Sequence, residues 1–179
     1  KWAAKAYPAP RPLYGLELLA HTRPVLIVEG EKCCDAARTV LGHAYNILTW
    51  AGGANGVAGT DWGPLYGQQV DLWPDADEPG VKAVAAILER LAPHGIKRMR
   101  VLEQTGQPEG WDIADAVQAG WGVPEIAAHI NREGGKYIKV IEPVELKRGR
   151  HHDGQVPVKH IEPELSPGER SMRSWHEEL

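Results

Sequence analysis

The sequence predicts an α/β fold: a Rossmann-like parallel sheet of about four strands flanked by helices. Three observations carry that expectation. Val25-Leu-Ile-Val28 is an uninterrupted aliphatic run of the kind shown by strands buried on both faces. Further strand-like stretches recur at 45–50, 69–73 and 97–103, and the stretches between several of them place apolar residues at helical spacing. Strands alternating with helices in this way build parallel sheets with right-handed crossovers.

Taken in order, residues 1–12 carry three prolines and read as an extended linker. Leu13, Leu16, Leu19 and Ala20 then predict a short amphipathic helix ending near His21, so that 1–23 forms a linker and helix ahead of the main domain. Val25–Val28 is the first strand, Gly30 a turn, and 31–41 a helix closed by Gly42. Tyr45–Trp50 is the second strand, followed by the glycine-rich stretch 51–59, read as a flexible loop, and a turn of helix at 62–67. Gln69–Trp73 is the third strand. Asp77 or Glu78 caps the next helix, Pro79 suits its first turn, and Val81–Leu91 supplies its apolar face. Gly95 stops it. Lys97–Glu103 is the fourth strand, 104–110 a polar loop, and 112–119 and 123–131 two short helices. The main domain is thus expected over 24–131. Residues 132–179 form a C-terminal extension with one further strand at 137–141, then a charged, proline-bearing linker or tail.

Bulk composition narrows the function classes. A chain of 179 residues with 42% hydrophobic and 25% charged residues suits one domain plus an appendage, and its ends look cut from something longer. A net charge of −4 argues against coating nucleic acid by charge alone. The two cysteines are adjacent, Cys33 and Cys34, so neither a disulfide framework nor a C-x-x-C zinc site is expected. They read as a packed and a surface thiol in a reducing cytoplasm. No apolar run approaches the roughly 20 residues of a membrane span, and no signal peptide is visible.

The chemistry concentrates where strands end. Glu29 follows the first strand, Asp75 and Asp77 follow the third, and Asp112 lies beyond the fourth. Parallel sheets bind ligands outside the carboxyl ends of their strands, so these acids converge if the strands share one sheet. Each has a plain alternative as a helix cap. Alternate residues of an extended segment face one way, which lets Asp75 and Asp77 reach one ion together. Crowded carboxylates require a cation, and hard oxygen donors select Mg²⁺ or Mn²⁺. A calcium loop starting at Asp75 is rejected, because Ala86 stands where its last glutamate belongs and Pro79 occupies a ligand position. A haloacid-dehalogenase-like phosphatase also uses Asp-x-Asp after a strand, but in that family the pair ends the first core strand, not the third.

Val28-Glu29-Gly30-Glu31-Lys32, Leu72-Trp73-Pro74-Asp75-Ala76-Asp77 and Gly110-Trp111-Asp112-Ile113-Ala114-Asp115, in this order, resemble the TOPRIM domain over roughly 24–130. Glu78-Pro79-Gly80 and Gly-Trp-Asp look most like the primases and primase-helicases of phages and plasmids. The resemblance implies that Glu29 is general base or metal ligand, that Asp75 and Asp77 hold magnesium, and that Asp112 belongs to a third acidic cluster. Many members carry an acid four residues after the glutamate. Here Cys33 stands there, and Asp35, nearly opposite it on a helix, is a poor substitute.

The function this implies is metal-dependent nucleotidyl transfer of the primase type, acting on nucleoside triphosphates and a single-stranded DNA template beside a helicase or other replication protein. Two metals ~4 Å apart can activate a 3′-hydroxyl and stabilise departing pyrophosphate. Gly52, Gly53 and Asn55 can offer backbone N–H groups to phosphates or merely connect elements. Lys32 is either a phosphate contact or a solvated helix residue. Lys97, Arg98 and Arg100 are expected to serve solubility, and His151-His152 no ligand role. Trp73 and Trp111, beside the acids, are the two tryptophans to test for base stacking. Alternatives are a TOPRIM nuclease that cleaves DNA and a non-catalytic module that recruits a replication partner. A topoisomerase is disfavoured, since no strand-passing segment with a nucleophilic tyrosine is apparent. No zinc module or basic template-binding subdomain is evident, so the chain alone is expected to bind metal but prime poorly.

Overall fold

The computed structural model describes residues 8–130. Strands Val25–Val28 (β1), Asn46–Leu48 (β2), Gln69–Trp73 (β3) and Arg98–Val101 (β4) form a four-stranded, all-parallel sheet in the order β2-β1-β3-β4. The helices are Glu31–Leu41 (α1), Gly53–Gly56 (α2), Glu78–Leu91 (α3), Ile113–Gln118 (α4) and Val123–Ile130 (α5). This is the α/β, Rossmann-like arrangement that the alternating pattern predicts. No helix among the described residues is long and apolar enough to cross a membrane. The strand expected at 137–141, the C-terminal linker and His151-His152 lie outside the described residues.

β1 is aliphatic throughout because it is covered on both sides. Val25 and Ile27 point into a core with Leu48, Val70, Leu72, Met99 and the Ile87 and Leu91 of α3. Leu26 and Val28 point into a second core with Cys34 and Leu41 of α1, Ile113 of α4 and Ile126 of α5. All four strand residues are at most 2% exposed. Full burial of each such side chain favours folding by roughly 1.5–3 kcal/mol, so the centre of the sheet is its most stable part.

Several local expectations change. Leu13–His21 is not a helix: only Leu16–Leu18 makes a 3-10 turn, entered through Gly15 in the left-handed region. The Asn46 side chain takes over the backbone there, accepting from Ala20 N–H at 2.9 Å and donating to the carbonyls of Ala20 and Arg23 at 2.8 and 2.9 Å. The described end of the stretch read as linker is docked, the Arg11 amide donating to the Gly59 carbonyl; just beyond it Leu13 is buried and the Tyr14 amide donates to the Thr49 carbonyl. Residues 51–59 are not a flexible loop but α2 followed by the 3-10 turn Val57–Gly59. Two indoles fix that turn, Trp50 Nε1 donating to the Gly53 carbonyl and Trp62 Nε1 to the Val57 carbonyl.

The basic residues of β4 are also reassigned. Asp71, in the middle of β3, is fully buried. Arg100 grips it with two bonds of 2.7 and 2.6 Å, and Arg98 approaches to 3.7 Å. A buried carboxylate needs such a partner, so these arginines neutralise the sheet interior rather than serving solubility. Cys33 and Cys34 are both buried, and neither is the surface thiol expected.

Candidate functional site

The strand order creates a crevice. From β1 the chain crosses to β2 on one side, and from β3 it crosses to β4 on the other. The loops leaving β1 and β3 therefore diverge, although the strands are neighbours paired through Val28 and Trp73. Such a switch point is where open α/β sheets take their ligands. Glu29 leaves β1 directly into this crevice, and Asp75 and Asp77 follow β3.

Each carboxylate is held by its own local device. After Glu29 the chain turns at Gly30, whose φ of 83° lies in the left-handed region that suits glycine. The Gly30 amide donates to Thr49 Oγ1 at 2.9 Å, tying the end of β1 to the end of β2. Asp77 caps α3, its Oδ1 accepting from the Gly80 amide at 2.7 Å. Asp112 caps α4 in a reciprocal box: Oδ1 accepts from the Asp115 amide at 2.8 Å, and Asp115 Oδ2 accepts from the Asp112 amide at 3.2 Å. The two acid-bearing loops are stapled together. Ala76 N–H donates to the Trp111 carbonyl at 2.9 Å, and Gly110 N–H to the Ala76 carbonyl at 3.1 Å.

The electrostatics report the crowding. Asp75 is pushed up to about 7, first by burial and then by Glu29, Asp112, Asp77 and Asp115. Glu29 is raised by burial and by Asp77. Cys33 is pushed up to about 12, mainly by burial and then by Asp112. Lys32 is the nearby cation, 3.5 Å from Asp112 and itself raised chiefly by that carboxylate. Its side chain is largely solvent-exposed, so it neutralises the cluster only in part.

Glu29, Asp77 and Asp112 all lie near enough to act on the charge of Asp75, and Lys32 pairs with Asp112. Of these acids only Asp75 and Asp112 belong to a group with donor atoms within 4.8 Å of one another, which Glu29 and Asp77 do not join. Gly53 lies beside Glu29, since a Cβ built on it would lie 3.5 Å from Glu29 Oε1. Gly52 lies one residue before α2, with Arg11 rather than an acid nearby, and Asn55 is exposed. Asp35 is engaged elsewhere, accepting from Tyr14 Oη at 3.0 Å and Arg38 at 3.2 Å.

Three residues of the site carry no strong sequence signal. Cys33 Sγ and one carboxylate oxygen each of Asp75 and Asp112 all lie within 4.8 Å of one another, a group that could hold a metal ion. Its place one helical turn after Glu29 was the available clue. Asp115 completes the capping box, and Thr49 pins Gly30. Trp73 is only 2% exposed and packs in an aromatic cluster with Trp111 at 5.8 Å and His129 at 4.8 Å. Of the two tryptophans beside the acids, only Trp111 keeps partial exposure.

No protein-family model matches the chain, and no curated protein matches it.

Proposed function

We propose that the chain carries a TOPRIM-like catalytic domain of primase type, which transfers nucleotides onto a growing 3′ end along single-stranded DNA. The observation that carries this reading is that Glu29, Asp112 and Asp77 surround Asp75 near the switch point, where burial first and then these carboxylates lift Asp75 to about 7. Carboxylates packed this closely fit a divalent cation, and their oxygen chemistry favours Mg²⁺ or Mn²⁺. Asp75, Asp77 and Asp112 would hold it, with Glu29 as a further ligand or as base. When bound, it neutralises charge on the nucleotide phosphates.

The chain's own residues supply the rest. Glu29, its pKa raised by burial and then by Asp77, would act as the base. The 3′-hydroxyl oxygen bonds the α-phosphorus, its proton passes to Glu29, and pyrophosphate leaves with the electrons of the broken P–O bond. Lys32 and the Gly52, Gly53 and Asn55 segment would contact the phosphates. Template DNA, nucleoside triphosphates and a helicase or other replication protein are the partners this activity requires. Its setting would be cytoplasmic.

The test incubates the chain with labelled single-stranded DNA, four ribonucleotides and Mn²⁺. Short oligoribonucleotides in low yield, absent with Glu29→Gln, support the reading. Shortened DNA instead identifies a nuclease, and neither product with tight helicase binding identifies a recruiting module.

A further inference from the structure

We infer that Cys33 is a metal ligand, forming with Asp75 and Asp112 a mixed sulfur–oxygen seat that prefers a thiophilic divalent cation such as Zn²⁺ or Cd²⁺ over Mg²⁺. The inference rests on the crevice being a metal site and specifies what that site selects.

Three elements contribute one donor each. Cys33 comes from the first turn of α1, Asp75 from the loop after β3, and Asp112 from the cap of α4. Their donor atoms lie within 4.8 Å of one another. A zinc ion with bonds of about 2.3 Å to sulfur and about 2.1 Å to oxygen needs donors roughly 3.5 Å apart, so modest closure completes the seat. Cys33 is 4% exposed, and its sulfur faces the two carboxylates rather than solvent. Cys34 offers the internal contrast: equally buried, it turns the other way and gives its thiol to the Ile47 carbonyl at 3.3 Å.

The oxygen donors are already fixed. Asp112 is fixed by its capping box, and the Asp75 backbone lies against Gly80. Three protein donors leave a further coordination position for water or a substrate oxygen, the arrangement of catalytic rather than structural zinc. Sulfur raises affinity for softer cations and adds nothing for magnesium. On coordination a metal–sulfur bond replaces the S–H bond and the proton passes to solvent.

The full chain is titrated with Cd²⁺ under reducing conditions while near-ultraviolet thiolate-to-metal absorption is followed, and with Mn²⁺ by paramagnetic resonance. A charge-transfer band should appear in the wild type, persist in Cys34→Ala and vanish in Cys33→Ser. Cd²⁺ affinity should fall about tenfold or more in that variant while Mn²⁺ affinity changes little. Cys33→Ala, checked by circular dichroism, repeats the test without a hydroxyl. Mn²⁺ binding with no sulfur band, or a band lost only in Cys34→Ala, overturns the inference and leaves the metal site standing. Binding of neither ion overturns both.

Discussion

A Cβ on Gly80 would lie 2.5 Å from the carbonyl oxygen of Asp75 and 3.0 Å from its amide nitrogen, so the first turn of α3 rests on the backbone that presents this carboxylate. Backbone cannot yield as a flexible side chain can. Gly80→Ala should displace the 75–77 segment, costing about 1–3 kcal/mol and weakening Mn²⁺ binding. Val81→Ala, one residue on at a 64% exposed position, should stay within about 0.5 kcal/mol. Urea unfolding of both variants checks this; equal stability would show that Gly80 does not set the loop.

The Asp71–Arg100 pair should be among the costliest to break. Arg100→Ala leaves a fully buried carboxylate with the 3.7 Å approach of Arg98 as its remaining ion pair, beside the Tyr45 hydroxyl, and such losses cost about 3–5 kcal/mol. Arg98→Ala, at a more exposed and more distant partner, should cost much less. The joint replacement Asp71→Leu with Arg100→Met should recover most of the loss. A double variant no more stable than Arg100→Ala would contradict the assignment.

Much of the fold was readable in the sequence, because burial on both faces leaves a run such as Val25–Val28 that no surface strand shows. The acids at strand ends were readable for the same reason, since a strand's end fixes where the next residue projects. Asp77 and Asp112 had two readings, cap or ligand, and the structure shows that the cap is real for both. A cap uses one oxygen, Oδ1 in each case, so capping and ligation coexist. What stayed hidden depended on residues far apart in the chain. Nothing in 69–73 announces that Asp71 is buried until Arg100, 29 residues later, is seen against it. Residues 51–59 read as flexible from their glycines, yet Trp50 and Trp62 order them through carbonyls that no local pattern names.

Metal-free protein should lose stability as pH rises from about 4 to above 7. Asp75 is raised from 3.8 to about 7 in the folded chain, so below its unfolded value both states hold the proton and nothing is lost. Between the two values the folded state alone retains it, and stability falls with each step up in pH. Asp75→Asn, which mimics the protonated carboxyl, should flatten this slope, and so should saturating Mn²⁺. Melting temperatures from pH 4 to 8 read it directly. An unchanged slope in Asp75→Asn would show that Asp75 is not the group responsible.

Both thiols should resist alkylation at neutral pH while the chain is folded. Each is pushed up to about 12, chiefly by burial, and the thiolate is the reactive form. Timed iodoacetamide labelling followed by mass spectrometry should show slow native modification and rapid reaction in urea. Fast native labelling of Cys33 would place it at the surface instead.

The central claim is that carboxylates from separate strands share one divalent cation. Mn²⁺ titration followed by paramagnetic resonance, on wild type and on Asp75→Asn/Asp77→Asn, tests it most directly, because asparagine keeps the helix cap while removing the charge. The wild type should bind, and the double variant should lose that binding with its fold intact by circular dichroism. Equal Mn²⁺ affinity in the two proteins would contradict the account.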